Sequence, residues 1–304
     1  MRIHILIPIF EDFSCISILY KRVKNALTDH KLKFIIIDDG SYNELEIKSK
    51  LESHEDIEFL TLSQNIGHQR SIAIGLCYLS ENKKFDFVLI MDGDGEDNPN
   101  DAVKLVNHAA KDEEDKIIFA RRDVRSEPTT FKIGYFVYRL LFRILTGKNI
   151  KFGNFSLIPY GLINRIVGIP EIWNHYASSI LIAGIPRSEI STKRSGRIHG
   201  RPKMNLQSLL LHGLSAISVF GDILLLRVLS LFSTLLLFCC VFNLYIMVFQ
   251  QPSFDFILIL WMLFCITLLF SFGVLLLLLL KLSLRSNRPC IPKTFWKNFT
   301  KLPL

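Results

Sequence analysis

At 304 residues, with a formal charge of +8 and half of its residues apolar, the chain can hold one large domain or two smaller ones. The positive balance suits a nucleic acid, an anionic membrane or an anionic substrate as partner. Six cysteines without a C-x-x-C pair, three of them inside apolar segments, argue against a disulfide framework and against a zinc site.

The chain opens on a strand-like run, residues 3–10 (IHILIPIF), too short for the apolar core of a signal peptide. The amino-terminal part is therefore expected to stay cytosolic. Ile16, Leu19, Val23 and Leu27 predict a helix over 14–29. A second strand at 33–37 ends in Asp38-Asp39-Gly40-Ser41, and a polar helix covers 43–53. A third strand at 57–62 is broken by Asn65-Ile66-Gly67, and a helix comes next over 69–79.

The fourth strand, Phe87 to Met91, runs into four acidic residues, Asp92, Asp94, Glu96 and Asp97, interleaved with Gly93 and Gly95. Crowded carboxylates repel one another, and hard oxygen ligands suit Mg²⁺ or Mn²⁺ carrying a diphosphate. An acidic surface turn is the plainer alternative for an isolated D-x-D, since short motifs are weak evidence. The position after a strand, with helix-start residues Asn98-Pro99-Asn100 next in the chain, favours the metal.

A helix at 101–110 and a fifth strand at 116–120 complete a run of βαβ units, which means a mostly parallel sheet. Such sheets bind ligands outside the carboxyl ends of their strands, where Asp12, Asp38, Asp39, Asn65 and Asp92 all fall. Residues 131–145 (FKIGYFVYRLLFRIL) form either a buried core helix or one lying in a membrane interface. Next come a strand or tight turn at 153–158, a helix at 160–167 and a helical stretch from Trp173 broken at Gly184-Ile185-Pro186.

Residues 193–203 (KRSGRIHGRPK) are the most basic stretch, and their glycines and proline make it a loop. No aromatic platform is interleaved, so single-stranded nucleic acid is poorly supported and no nucleic-acid partner is expected. Guanidiniums ahead of membrane segments fit phosphate recognition better. Residues 206–220 are amphipathic, while 228–249 and 256–280 carry no charge and exceed the roughly 20 residues needed to span hydrocarbon. The six residues between them predict a tight hairpin, and six positive residues with no negative one after it place the tail in the cytoplasm. Trp261 and Trp296 suit a membrane boundary or hairpin packing.

The ordered motifs Pro8…Glu11-Asp12, IIIDDGS at 35–41, NIGHQRSIAIGL at 65–76, MDGDGEDNP at 91–99, GNFSLIP at 153–159 and R-x-x-R-x-x-G-x-x-K from Arg194 resemble the family 2 inverting glycosyltransferases, within them the polyprenyl-phosphate glycosyltransferases. The resemblance implies a Rossmann-like α/β domain of GT-A type over 1–205. After it come a juxtamembrane amphipathic helix over 206–226, a two-helix transmembrane hairpin over 227–281 and a basic cytoplasmic tail over 282–304.

It implies that Pro8, Phe10, Asp12, Asp38, Asp39, Asn65, Gly67, His68 and Gln69 hold the nucleotide. Asp92, Asp94 and Glu96 would hold Mg²⁺ or Mn²⁺, with Glu96 standing where the family usually has Gln. Arg194, Arg197 and Lys203 would meet the acceptor phosphate and, with Asp92 and Asp94, carry catalysis. Arg201 and Pro202 depart from the family's usual residues.

The implied reaction moves one sugar from a UDP- or GDP-sugar to polyprenyl phosphate with inversion. The alternative acceptor is a hydroxyl of a lipid-linked or cell-surface glycan. A lipid bilayer and a possible homo-oligomer are the expected partners, with the protein in the inner or plasma membrane. An ionised phosphate oxygen attacks without a general base, whereas a hydroxyl would need one.

Overall fold

The computed structural model describes residues 1–81, 85–112, 115–124, 129–193, 195–198, 206–249, 254–286 and 293–300. These fall into two compact units. The first contains residues 1–139, 149–219 and the tail from 291; the second contains 140–148 and 220–290.

The first unit is built on a seven-stranded sheet. Its strands are β1 (Arg2–Ile9), β2 (Lys31–Asp38), β3 (Ile57–Thr61), β4 (Phe87–Ile90), β5 (Ile117–Val124), β6 (Phe152–Pro159) and β7 (Arg187–Lys193), in the order β3-β2-β1-β4-β6-β5-β7. β1 pairs in parallel with β2 and β4, and β2 with β3. β6 lies antiparallel between β4 and β5, and β7 is parallel to β5 at the edge. This is a GT-A-like α/β fold with a mostly parallel sheet.

The apolar runs of β1, β2 and β4 are buried on both faces, as central parallel strands must be. Ile3, Ile5, Ile7 and Ile9 of β1 join a core with α1 (Phe13–Ala26) and α4 (Pro99–Asp112). On the opposite face Leu6 packs directly onto Gly75 of α3 (His68–Ser80), leaving no room for a side chain there. α2 (Leu45–Glu52) comes after β2; α6 (Tyr160–Val167) and α7 (Tyr176–Ile182) pack beside α3.

Three elements differ from the sequence expectation. The stretch from Trp173 is not one broken helix: a 3-10 turn at Pro170–Trp173 precedes the short α7. β7, RSEISTK, was not anticipated, because as an edge strand it holds one apolar residue, Ile190, and gives no hydrophobic run. The tail is the third. A 3-10 turn at Lys293–Phe299 belongs to the sheet unit, and Trp296, expected at a membrane boundary or in hairpin packing, is buried against Tyr78 of α3.

The second unit is a hairpin of α9 (Gly221–Phe249) and α10 (Phe254–Ser286), with Phe232 stacked against Phe270. Both helices are long and apolar enough to cross a membrane, over Gly221–Ile246 and Phe256–Leu277. Three of their polar side chains donate to their own helix backbone: Thr234 to the Ser230 carbonyl, Asn243 to Cys239 and Ser271 to Thr267. Hydrocarbon offers no water to such groups, so self-satisfaction is what a spanning helix requires. Residues 140–148, which include the carboxyl end of α5 (Thr129–Thr146), belong to this unit, where Arg227 donates to the Ile144 carbonyl. α8 (Leu206–Ser218) belongs to the first unit and exposes Leu210, Leu211 and Leu214, as an amphipathic helix should. Of the loop expected at 250–255, residues 250–253 lie outside the described residues, while Phe254 and Asp255 already belong to α10.

Candidate active site

The site lies where β1, β2 and β4 end, and its floor is made by carboxylates that the backbone itself organises. After β1, Glu11 takes a left-handed conformation (φ 54°), and its carboxylate accepts the Tyr42 and Asn43 N–H groups at 2.7 and 2.9 Å. The Glu11 N–H in turn donates to Ser41 Oγ. A non-glycine residue at positive φ costs of order 1–3 kcal/mol and persists only when neighbours over-determine it, as they do here.

The Asp38-Asp39 pair turns inward. Asp38 is fully buried, accepts the Ser41 N–H and forms an ion pair with Lys48 at 2.8 Å. Asp39 accepts the Ile66 and Gly67 N–H groups at 2.8 and 2.9 Å, so it fixes the loop that begins α3. Burial pushes its carboxyl above the ordinary value, against the pull of those two amides and of His68. Gly40 (φ 78°) lies flat on this loop; a Cβ there would meet the Gln64 carbonyl carbon at 2.8 Å. Both aspartates shape the wall of the site through protein contacts. Lys48, which sequence reasoning missed, is the counter-ion of Asp38.

The acidic turn after β4 is similarly self-braced. Asp97 accepts the Asp92 N–H at 2.9 Å, and Asp94 accepts the Glu96 N–H at 3.0 Å. Gly93 fits because Ile9 would lie 2.7 Å from a Cβ there. Gly95 sits at φ 78°, under the Ile198 side chain. Ile198 and Ser195 donate their N–H groups to the Asp94 and Glu96 carbonyls, both at 3.0 Å. The described part of the basic loop, 195–198, is therefore laid across the acidic turn. Arg197 donates to Asp12 at 2.8 Å and stands 3.5 Å from Asp94. Arg194 and Lys203 lie outside the described residues.

Opposite this turn, His68 at the start of α3 is 3.2 Å from Asp92 Oδ1. Burial works against its charge, but Asp92, Asp94 and Asp97 outweigh burial and raise its pKa. Its Nε2 also meets the Asn154 amide at 3.0 Å. Asn154 accepts from Gln69, and Gln69 accepts the Tyr176 N–H that opens α7. The Tyr176 hydroxyl meets Ser156, so β6, α3 and α7 are joined by one polar chain. Asn154 and Tyr176 were not singled out from sequence, although Asn154 lies within the GNFSLIP motif. Phe10 is 37% exposed at the rim, Asn65 is exposed, and Pro8 is buried.

Two carboxylates of D-x-D spacing with cations on either side form an anion-and-metal site in outline. Among the described residues, no three acidic, histidine or cysteine side chains gather closely enough to hold an ion alone. Asp92, Asp94 and Glu96 thus do not form a ready-made cage. The donor set fits an ion held by one or two carboxylates plus substrate phosphates, the usual coordination of Mg²⁺.

The glycosyl transferase family 2 model matches residues 4–165, which is 162 of 304 residues and runs from the third residue of β1 through β6. The chain belongs to glycosyl transferase family 2. Among relatives of this transferase, the bactoprenol glucosyl transferase of Shigella phage SfX is 26% identical over 233 residues, covering 72% of this chain and 73% of its own. The dodecaprenyl-phosphate galacturonate synthase of Rhizobium johnstonii is 21% identical over 217 residues, covering 68% and 62%. The fold of the family 2 domain matches glucosyl-3-phosphoglycerate synthase from Mycobacterium tuberculosis, solved with Mn²⁺, UDP and phosphoglyceric acid. That match has TM-score 0.53 and 15% identity over 74% of this chain and 78% of that one. Mannosyl-3-phosphoglycerate synthase from Rubrobacter xylanophilus matches at TM-score 0.51 and 13% identity, covering 73% of each.

Proposed function

We propose that this protein is a membrane-anchored, inverting glycosyltransferase that moves one sugar from a nucleoside-diphosphate sugar to polyprenyl phosphate. The observation that carries the reading is Arg197 bridging Asp12 and Asp94, which puts a phosphate-binding guanidinium in the same cleft as the D-x-D carboxylates. The printed names of the phage and Rhizobium relatives favour a polyprenyl-phosphate acceptor. The Mn²⁺ and UDP of the mycobacterial structure favour a divalent ion and a nucleotide donor.

In this reading Asp92 and Asp94 hold the ion, and the ion supplies charge neutralisation for the departing diphosphate. Phe10 and Pro8 border the base, while Asp38, Asp39, Asn65 and Gly67 form the wall beside the ribose. His68 and Gln69, at the amino end of α3, orient the diphosphate side. Arg197, with Arg194 and Lys203 of the same loop, aligns the acceptor phosphate for in-line attack on the anomeric carbon. The ionised phosphate oxygen supplies the electron pair, so no side chain must take a proton. Positioning and charge handling do the catalytic work.

Chain continuity supports a topology. α8 and the tail turn at 293–299 both belong to the sheet unit, with two membrane-length helices between them. An even number of crossings returns the chain to the side it left, so we place the sheet unit and the basic tail on the cytoplasmic face.

The test is to incubate membranes containing the protein with a panel of UDP- and GDP-sugars and undecaprenyl or dolichyl phosphate, with and without EDTA. Labelled sugar passing into the organic phase, released by mild acid and abolished by EDTA, is the expected result. A product stable to mild acid would assign a hydroxyl acceptor instead.

A further inference from the structure

The tail beyond α10 reaches back to the loop that the proposed function gives to the donor. Trp296 is 7% exposed, stands edge-on to Tyr78 with ring centroids 5.2 Å apart, and donates its indole N–H to Glu81 at 3.1 Å. Lys297 lies 3.5 Å from the same Glu81 carboxylate. Two residues past Lys297, the Phe299 carbonyl accepts both the N–H and the hydroxyl of Ser63, at 2.7 and 3.2 Å. Thr300 then forms an antiparallel bridge with Leu62, directly beyond the edge strand β3.

Ser63 to Gly67 is thereby held from two sides. Asp39 takes the Ile66 and Gly67 amides, and Gly40 lies against Gln64 and Asn65. Phe299 and Thr300 hold Leu62 and Ser63 at the other end of the loop. Gly67 opens α3, which begins with His68 and Gln69. A five-residue loop tied at both ends has few conformations left, and pre-paid ordering of this kind lowers the cost of binding.

We propose that Lys293–Thr300 is a positioning strap for the donor loop, with Trp296 as its anchor on α3, so that the end of the chain beyond the membrane hairpin completes the nucleotide site. The inference rests on the donor assignment made above for Asn65, Gly67, His68 and Gln69. It needs no ligand contact from the strap itself.

The test uses full-length protein in detergent, comparing wild type with Trp296→Ala and Trp296→Phe. Trp296→Phe keeps an aromatic ring against Tyr78 and loses the N–H together with part of the indole's volume. Hydrogen–deuterium exchange of the peptide covering 62–69 is read without any substrate. In Trp296→Ala those amides are expected to exchange about tenfold faster, with β1 and β4 unchanged, and Trp296→Phe to restore most of the protection. The donor KM should rise about fivefold in Trp296→Ala, with kcat and acceptor KM within about twofold of wild type. If Trp296→Ala fails to fold, Trp296→Leu, which keeps apolar volume, takes its place. Unchanged exchange at 62–69, or donor and acceptor KM rising together, would overturn the strap and leave the tail as a stability patch. Because exchange is read on the free protein, it decides the strap even if no polyprenyl product forms.

Discussion

Acidification should destabilise this protein through a histidine that sits one helix away from the proposed site. His175 caps α7, where its Nδ1 accepts the Ser178 N–H at 3.3 Å, and is only 5% exposed. Burial first, then the neighbouring charge of His212, whose ring lies 4.8 Å away, and of His68, hold its pKa down to about 3. In the unfolded chain it titrates near 6.5. Its folded value is lowered, so its contribution to stability is present above 6.5 and is lost as pH falls from there toward 3.

Between pH 7 and pH 5 the loss is about 2 kcal/mol, and His4, lowered by burial to about 4, adds about as much. A transition lowered by roughly 4–8 °C per histidine is expected for a domain of this size. The assay is thermal unfolding monitored by tryptophan fluorescence in detergent at pH 7 and pH 5, for wild type and His175→Asn. Asparagine keeps a capping acceptor and removes the titration. The variant should lose about 2 kcal/mol less between the two pH values than wild type does. Equal losses would refute the reasoning, because the acid-sensitive group would then lie elsewhere.

Three further outcomes are expected. Asp94→Ala should lower turnover at least about 100-fold, and chelation and then return of Mg²⁺ or Mn²⁺ should abolish and restore activity in wild type. Arg197→Ala should raise acceptor KM at least about tenfold, and Arg197→Lys should rescue little, since an ammonium cannot span Asp12 and Asp94 as the guanidinium fork does; steady-state kinetics with varied polyprenyl phosphate checks both. Gly95→Ala should cost about 1–2 kcal/mol for the left-handed backbone, and its Cβ displaces Ile198, so protease protection of 195–198 should fall together with activity.

Much of the fold was legible because central parallel strands must be apolar throughout. IHILIPI, KFIIID and FVLIMD each read as a strand ending in carboxylates, and the sheet brings those ends to one edge. β6 and β7 were less legible: β6 inserts antiparallel, which no local pattern encodes, and β7 is a polar edge strand. The site divided in the same way. The D-x-D turn came from residue type and position and Arg197 from the family resemblance, but the inward turn of Asp38 and Asp39 depends on Lys48 and on the Ile66 and Gly67 amides. Asn154 and Tyr176 gained their places only through the chain that links β6, α3 and α7.

By itself the sequence determined the class of the chain: an α/β sheet rimmed with acidic residues, a basic loop, and two stretches too apolar to leave in water. Those properties arise from composition and period, which are local. Only the tertiary structure decided which charges meet, because Asp12 and Arg197 are 185 residues apart and neither carries a mark of the other. It also decided that Trp296 packs against α3. An indole can satisfy its apolar body and its N–H at a bilayer boundary or against Tyr78 and Glu81, and the fold supplied the second.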